Sequence, residues 1–150
     1  MMKKMKTKIK KAGLLLLLAA SLQSCDKTPR NDELDGFWLL VESGKPEATP
    51  RKADGVTWAV QLDLISVRSR KELAPGTAEV VFLLNHNGGQ LTLTEGFAHY
   101  RDHDDRMEAV TEGLRNAGIG ALPETYRVDR LDGERMVLVS ATDSLVFRKY

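Results

Sequence analysis

The chain has 150 residues, enough for one domain with a single packed core but not for two. Its 22 Lys and Arg nearly balance 21 Asp and Glu, but six of the lysines crowd the first eleven residues; from Cys25 onward 16 cations face 21 anions, a net charge of −5. An acidic body without a basic stripe excludes nucleic acid as a partner, and a single cysteine, Cys25, excludes an intramolecular disulfide.

Lys3, Lys4, Lys6, Lys8, Lys10 and Lys11 precede the apolar run from Leu14 to Ala20, and small and polar residues then lead to Cys25. This is the three-part build of a secretory signal. The apolar run is too short to span a bilayer, which takes about 20 residues, so residues 1–24 are expected to direct export. Leu22-Gln23-Ser24-Cys25 resembles the lipobox of bacterial lipoproteins. The resemblance implies a diacylglycerol on the Cys25 sulfur and a membrane anchor in the cell envelope, at the outer membrane, on its periplasmic or its surface side. Residues 25–33 are polar and include Pro29, which predicts a lipidated tether. The folded domain is expected over 34–150.

Gly36 to Glu42, Gly-Phe-Trp-Leu-Leu-Val-Glu, predicts the first strand, and residues 43–56, with Gly44, Pro46, Pro50 and Gly55, predict a long loop. Trp58, Val60, Leu62 and Leu64 alternate with polar or small residues, the period of a half-buried strand. The apolar phase then shifts to Ile65 and Val67, which predicts a β-bulge there. Residues 79–84 are apolar on both faces and predict the most buried strand. Asn87-Gly88 fits a type I′ turn, whose central residues need positive φ, so 79–86 should fold back onto 91–94. Met107, Val110, Leu114 and Ala117 recur at helical spacing, predicting one amphipathic helix over 106–117, capped by Asp104 or Asp105 and stopped by Gly118 and Gly120. Strands at 125–131, 135–139 and 144–150, with an Asp132-Gly133 turn, complete the pattern as a meander. Seven such strands predict an antiparallel sheet closed on itself.

Asp35-Gly36-Phe37-Trp38 resembles the Gly-x-Trp signature that opens lipocalins, and Leu145-Val146-Phe147-Arg148 places an arginine in the closing strand, as lipocalins do. With the lipobox, Ala117-Gly118-Ile119 after the helix, and the terminal Phe-Arg-Lys, the chain resembles the small lipocalin-like lipoproteins of Gram-negative bacteria. The resemblance implies a mostly β fold, an up-and-down lipocalin-like barrel of about 7–8 strands with one short amphipathic helix. It also implies a cation–π pair of Trp38 with Arg148 at the closed end, and a small apolar ligand in the barrel.

Among residues that carry chemistry, His99 and His103 stand four apart beside Asp102, Asp104 and Asp105. They are weak candidates for a metal, since a site needs more converging ligands than this spacing supplies, and the simpler reading is a solvated acidic loop. No nucleophile elbow, triad context or phosphate-cradling glycine loop is present, so neither an enzyme nor a cofactor is expected. Trp58, Phe82, Leu84, Leu91, Leu93, Tyr126, Val128, Met136 and Leu138 alternate toward the interior. They would line a ligand pocket or fill a solid core. In the first case the protein binds a small apolar or amphipathic ligand; in the second it is an interaction module that contacts an envelope or host protein through its loops at 43–56, 69–77 and 96–105.

Overall fold

The computed structural model describes residues 31–150. The export segment, the lipobox with Cys25, and residues 26–30 lie outside the described residues. The strands are β1 (Gly36–Gly44), β2 (Arg51–Lys52), β3 (Thr57–Gln61), β4 (Leu64–Arg68), β5 (Glu79–Asn87), β6 (Gln90–His99), β7 (Asp104–Arg106), β8 (Glu124–Leu131), β9 (Arg135–Val139) and β10 (Ser144–Lys149), with one short helix, α1 (Glu112–Asn116). Eight of them close a ring in the order β1-β3-β4-β5-β6-β8-β9-β10, and β10 pairs back onto β1 through Trp38–Gly44. All pairings are antiparallel, and β2 and β7 extend the margins of β1 and β6. Closure leaves the ring without an unpaired edge.

One face of each of the eight ring strands turns inward. Trp38, Trp58, Ile65, Val67, Val80, Phe82, Leu91, Leu93, Tyr126, Met136, Leu138, Leu145 and Phe147 are all fully buried. β5 folds back onto β6 as expected, but the turn sits one residue later: Asn87 ends β5 opposite Gln90, and Gly88-Gly89 are the central residues, with only Gly88 at positive φ, 56°. The bulge lies elsewhere than the sequence pattern predicts. The shift of phase after Leu64 is a two-residue turn, Leu62-Asp63, between β3 and β4, with Gln61 opposite Leu64 and Leu62 at φ 56°. Leu62 and Leu64 therefore point outward. A bulge does occur in β6, where Thr94 and Glu95 stand opposite Leu83, and it moves Gly96 inward against Phe82. There a Cβ would lie 2.8 Å from the Phe82 ring.

Three further expectations change. Residues 79–84 are not apolar on two buried faces: Val81 is half-buried and Leu83 exposed, because the outer face of a sheet closed on itself has no second layer over it. The loop at 43–56 is shorter than predicted, since β1 runs to Gly44 and β2 folds back beside Glu42 and Ser43. The predicted helix over 106–117 is reduced to five residues. Asp104–Arg106 extend the ladder of β6 instead, Met107 N donates to Gly96 O at 2.8 Å, and Thr111, rather than Asp104 or Asp105, caps α1 by accepting from Leu114 N. The periodic residues still turn toward the core, with Leu114 and Ala117 fully buried and Met107 and Val110 packed against it.

Both ends are closed. At the base, residues 31–33, expected to belong to the tether, are seated: Asp32–Leu34 form a 3-10 turn that buries Leu34, and Asn31 Nδ2 donates to Leu62 O at 2.6 Å. At the other end, the mouth, residues 107–122 cross between β4–β5 and β8–β10. The Thr111 hydroxyl donates to Leu73 O, α1 lies on the backbone of Glu72 and Leu73, and Gly118, at φ 86°, packs on Leu145. The buried Glu124 carboxylate then accepts from Gly120 N and Ala121 N at 2.8 and 3.0 Å, which fixes the exit of this segment.

Candidate functional site

The interior is built around Trp58. Its ring sits 4.7 Å from Phe147 and 5.9 Å, edge-on, from Tyr126. Of the residues expected to line a pocket, Trp58, Phe82, Leu91, Leu93, Tyr126, Met136 and Leu138 have no accessible area, Leu84 retains 8%, and Val128 is half-buried beside the core. A side chain with no accessible area leaves no room beside it for a water-sized probe. These residues therefore come together as packed core, at the density of a protein interior.

Two polar groups stand within that core. Tyr126 donates its hydroxyl to Gly118 O at 2.7 Å, tying β8 to the segment across the mouth. Burial, with the Glu124 and Asp143 carboxylates nearby, raises the Tyr126 phenol well above its usual value near 10. The folded state thus holds this proton more tightly than the unfolded chain. Its contribution is complete below pH 10 and is lost as pH rises toward the folded value. Tyr126→Phe should cost about 1 kcal/mol through the lost hydrogen bond and flatten the alkaline fall of stability, measured by urea unfolding between pH 8 and 11. The second group, Trp58 Nε1, is buried without a hydrogen-bond partner.

The cation over Trp38 is Lys149, not Arg148. Strand register explains the correction: Lys149 pairs opposite Trp38, on the inner side with Phe147, whereas Arg148 pairs with Leu39 and points outward. Lys149 Nζ lies 4.9 Å from the Trp38 ring centroid and donates to Glu33 O at 2.8 Å, while Trp38 Nε1 donates to Leu34 O at 2.8 Å. Gly36, at φ 127°, makes room for the lysine stem, since a Cβ there would lie 2.9 Å from Lys149 Cε. The alternation Leu145, Phe147, Lys149 carries this information in the sequence.

His99 and His103 take different partners. His99 Nδ1 bonds Asp104 across the β6–β7 ladder at 2.6 Å, and His103 Nδ1 bonds Asp102 at 2.7 Å while its ring stacks on Tyr100. Among the described residues, no group of three or more His, Cys, Asp or Glu converges to hold a metal.

An open cleft of about 910 Å³ lies at the mouth, walled by residues 43–56, 69–72, 112–120 and 142–143. Its charge opposes that of the body. Residues 31–150 contain 14 Lys and Arg against 20 Asp and Glu, yet the cleft gathers Lys45, Arg51, Lys52, Arg70, Lys71 and Arg115 against Asp54, Glu72, Glu112 and Asp143. Arg70 pairs with Asp54 at 3.3 Å, and the other five cations form no ion pair among the described residues. Sequence reading missed this cluster because its cations come from three separate segments that only barrel closure brings together.

A closed eight-stranded antiparallel ring with a 3-10 turn under its base defines the class: a lipocalin-type barrel. The lipocalin-like domain model matches residues 17–150, and the chain belongs to that family. It is similar in structure to a lipocalin-like protein from Bacteroides uniformis, at 16% identity over 79% of this chain and 99% of that one, with a TM-score of 0.59. An uncharacterized protein from Bacteroides eggerthii, at 18% identity over 77% and 98% of the two chains, gives 0.54. Among curated proteins none matches in sequence.

Proposed function

We propose that this protein is a non-catalytic binding module of the bacterial cell envelope, held to the outer membrane by lipid on Cys25, and that it binds an anionic partner group at the mouth of a side-chain-filled barrel. The observation that carries the reading is the contrast between the two compartments. The interior offers no accessible space, while the cleft at the mouth falls within the size range of ligand sites, about 300–1,000 Å³, and gathers six cations against four carboxylates, five of the cations outside any ion pair among the described residues. Such a site favours phosphate, sulfate or carboxylate groups, which Arg and Lys recognise through charge-assisted hydrogen bonds. The loops at 43–56 and 69–77 are the contact surface in this reading.

The test is thermal unfolding against a panel of phosphorylated, sulfated and carboxylated compounds, run beside fatty acids, sterols, bile acids and haem. A ligand at a hundred times its Kd adds about 2.7 kcal/mol to the folded state. The expected result is a saturable rise with an anionic class, abolished by the triple change Arg51→Glu, Lys71→Glu, Arg115→Glu. The free protein should keep its melting temperature, because exposed substitutions stay within about 0.5 kcal/mol. A rise confined to apolar compounds would refute the assignment.

A second reading rests on Trp58 Nε1, the buried donor without an acceptor. In it, an amphipathic ligand displaces the segment across the mouth, enters the barrel and offers its polar end to Trp58. A rise with fatty acids or bile acids, lost in Trp58→Phe, supports this alternative.

A further inference from the structure

Leucines and aromatics left on the outside of the barrel gather near its base. Phe37 is 64% exposed, Tyr150 79%, Leu62 53%, Leu64 44% and Leu83 37%. Strand register spreads them in a band along the base, from β10 through β1, β3 and β4 to β5, half of the ring. Leu64 is paired with Leu83, Gln61 links Leu64 to the Leu62 turn, Phe37 is opposite Ala59, and Tyr150 N donates to Phe37 O at 2.9 Å. Between them lie the half-buried Ala59 and Val81 and the polar Gln61 and Ser66. Single exposed apolar residues are ordinary, but a band of them along one end of the barrel marks a surface that something covers.

The chain itself says where this face lies. Asn31 is fastened to Leu62 O in the same patch, and Cys25 precedes Asn31 by six residues. Fully extended, six residues reach at most about 20 Å. A lipid on Cys25 therefore keeps the base within that distance of the bilayer surface, whereas the mouth stands at the far end of strands such as β6, ten residues and about 33 Å long. We infer that the patch of Phe37, Leu62, Leu64, Leu83 and Tyr150 rests in the lipid interface and orients the barrel, base to membrane and cationic mouth to the aqueous side. This rests on the anchor at Cys25. Two acyl chains already give stable attachment, so the patch contributes orientation rather than retention. Aromatic side chains with a polar tip, like Tyr150, suit the interfacial zone.

The experiment uses the full chain, processed in a bacterial host and reconstituted in vesicles of phosphatidylethanolamine and phosphatidylglycerol. Mass spectrometry first reads the modification of Cys25. With that sulfur blocked, Leu64→Cys or Leu83→Cys supplies the only free thiol for a nitrobenzoxadiazole label, and Lys71→Cys places the same label at the mouth. These positions are exposed, so labelling leaves the core intact. Nitroxide lipids should extinguish most of the fluorescence at positions 64 and 83 and little of it at 71. Equal quenching at all three positions would overturn the inference. So would a label at 64 shielded from water but untouched by lipid nitroxides, since a protein would then cover the patch. An unmodified Cys25 thiol would remove the anchor reading, and this inference with it, by a readout separate from the fluorescence.

Discussion

Trp58→Ala should lower the free energy of unfolding by about 3–5 kcal/mol, the usual cost of emptying a large aromatic site in a core. Against a total stability of about 5–15 kcal/mol for a domain, that approaches loss of the fold. The reason is position: Trp58 has no accessible area and joins Phe147 of β10 to Tyr126 of β8 across the barrel. Trp58→Phe should be much milder, about 1 kcal/mol, because it also removes an N–H buried without an acceptor, which is itself unfavourable. Trp38→Phe removes the same volume but breaks the bond to Leu34 O and the contact with Lys149, so it should cost more than Trp58→Phe. Urea unfolding of the three variants orders them as Trp58→Ala, Trp38→Phe, Trp58→Phe. A Trp58→Phe change as costly as Trp38→Phe would mean that the Trp58 indole has an acceptor after all.

Gly113→Ala should destabilise by about 1–3 kcal/mol, the range for overpacking, although alanine in a helix is normally worth nearly 1 kcal/mol over glycine. The sign is what makes the prediction specific. A Cβ on Gly113 would lie 2.2 Å from Glu72 O and 2.8 Å from Leu73 Cα, backbone atoms that cannot rotate aside. Either α1 lifts from the mouth, exposing Leu114, or the β4–β5 connection shifts. Gly89→Ala, with no atom within 4 Å of the new Cβ, is the control and should be neutral within about 0.5 kcal/mol. Urea titration compares the two. Stabilisation by Gly113→Ala would show that α1 does not lie against Glu72 and Leu73.

The barrel was legible in the sequence where period-two alternation and turn chemistry agreed, as in the β5–β6 hairpin, though its turn is Gly88-Gly89 rather than Asn87-Gly88, and in the closing meander. It was misread where two local signals competed. Leu62 and Leu64 continued the alternation of Trp58 and Val60, and only their pairing shows that the chain reverses at Leu62-Asp63. Met107 and Val110 kept helical spacing, yet Asp104–Arg106 pair with the part of β6 that lies beyond its ladder with β8. Family likeness drew Arg148 to Trp38, and the parity of Phe147 and Lys149, which points to Lys149 instead, went unused. The inward residues were identified by alternation, but alternation alone does not distinguish a lined pocket from a filled one. That depends on residues 107–122, which cross the mouth and bury Leu114, Ala117 and Ile119. The basic cleft was invisible for a different reason, since its cations are scattered over the chain and each is unremarkable alone.

The central claim, that the barrel is filled and that binding belongs to its mouth, is tested most directly by titrating the protein with brominated fatty acids while following tryptophan emission. Trp38 and Trp58 are the chain's two tryptophans and both are fully buried in the interior. Bromine quenches on contact, so a filled barrel predicts emission unchanged up to the solubility of the lipid. Saturable quenching that disappears in Trp58→Phe would contradict the claim and place an apolar ligand inside the barrel.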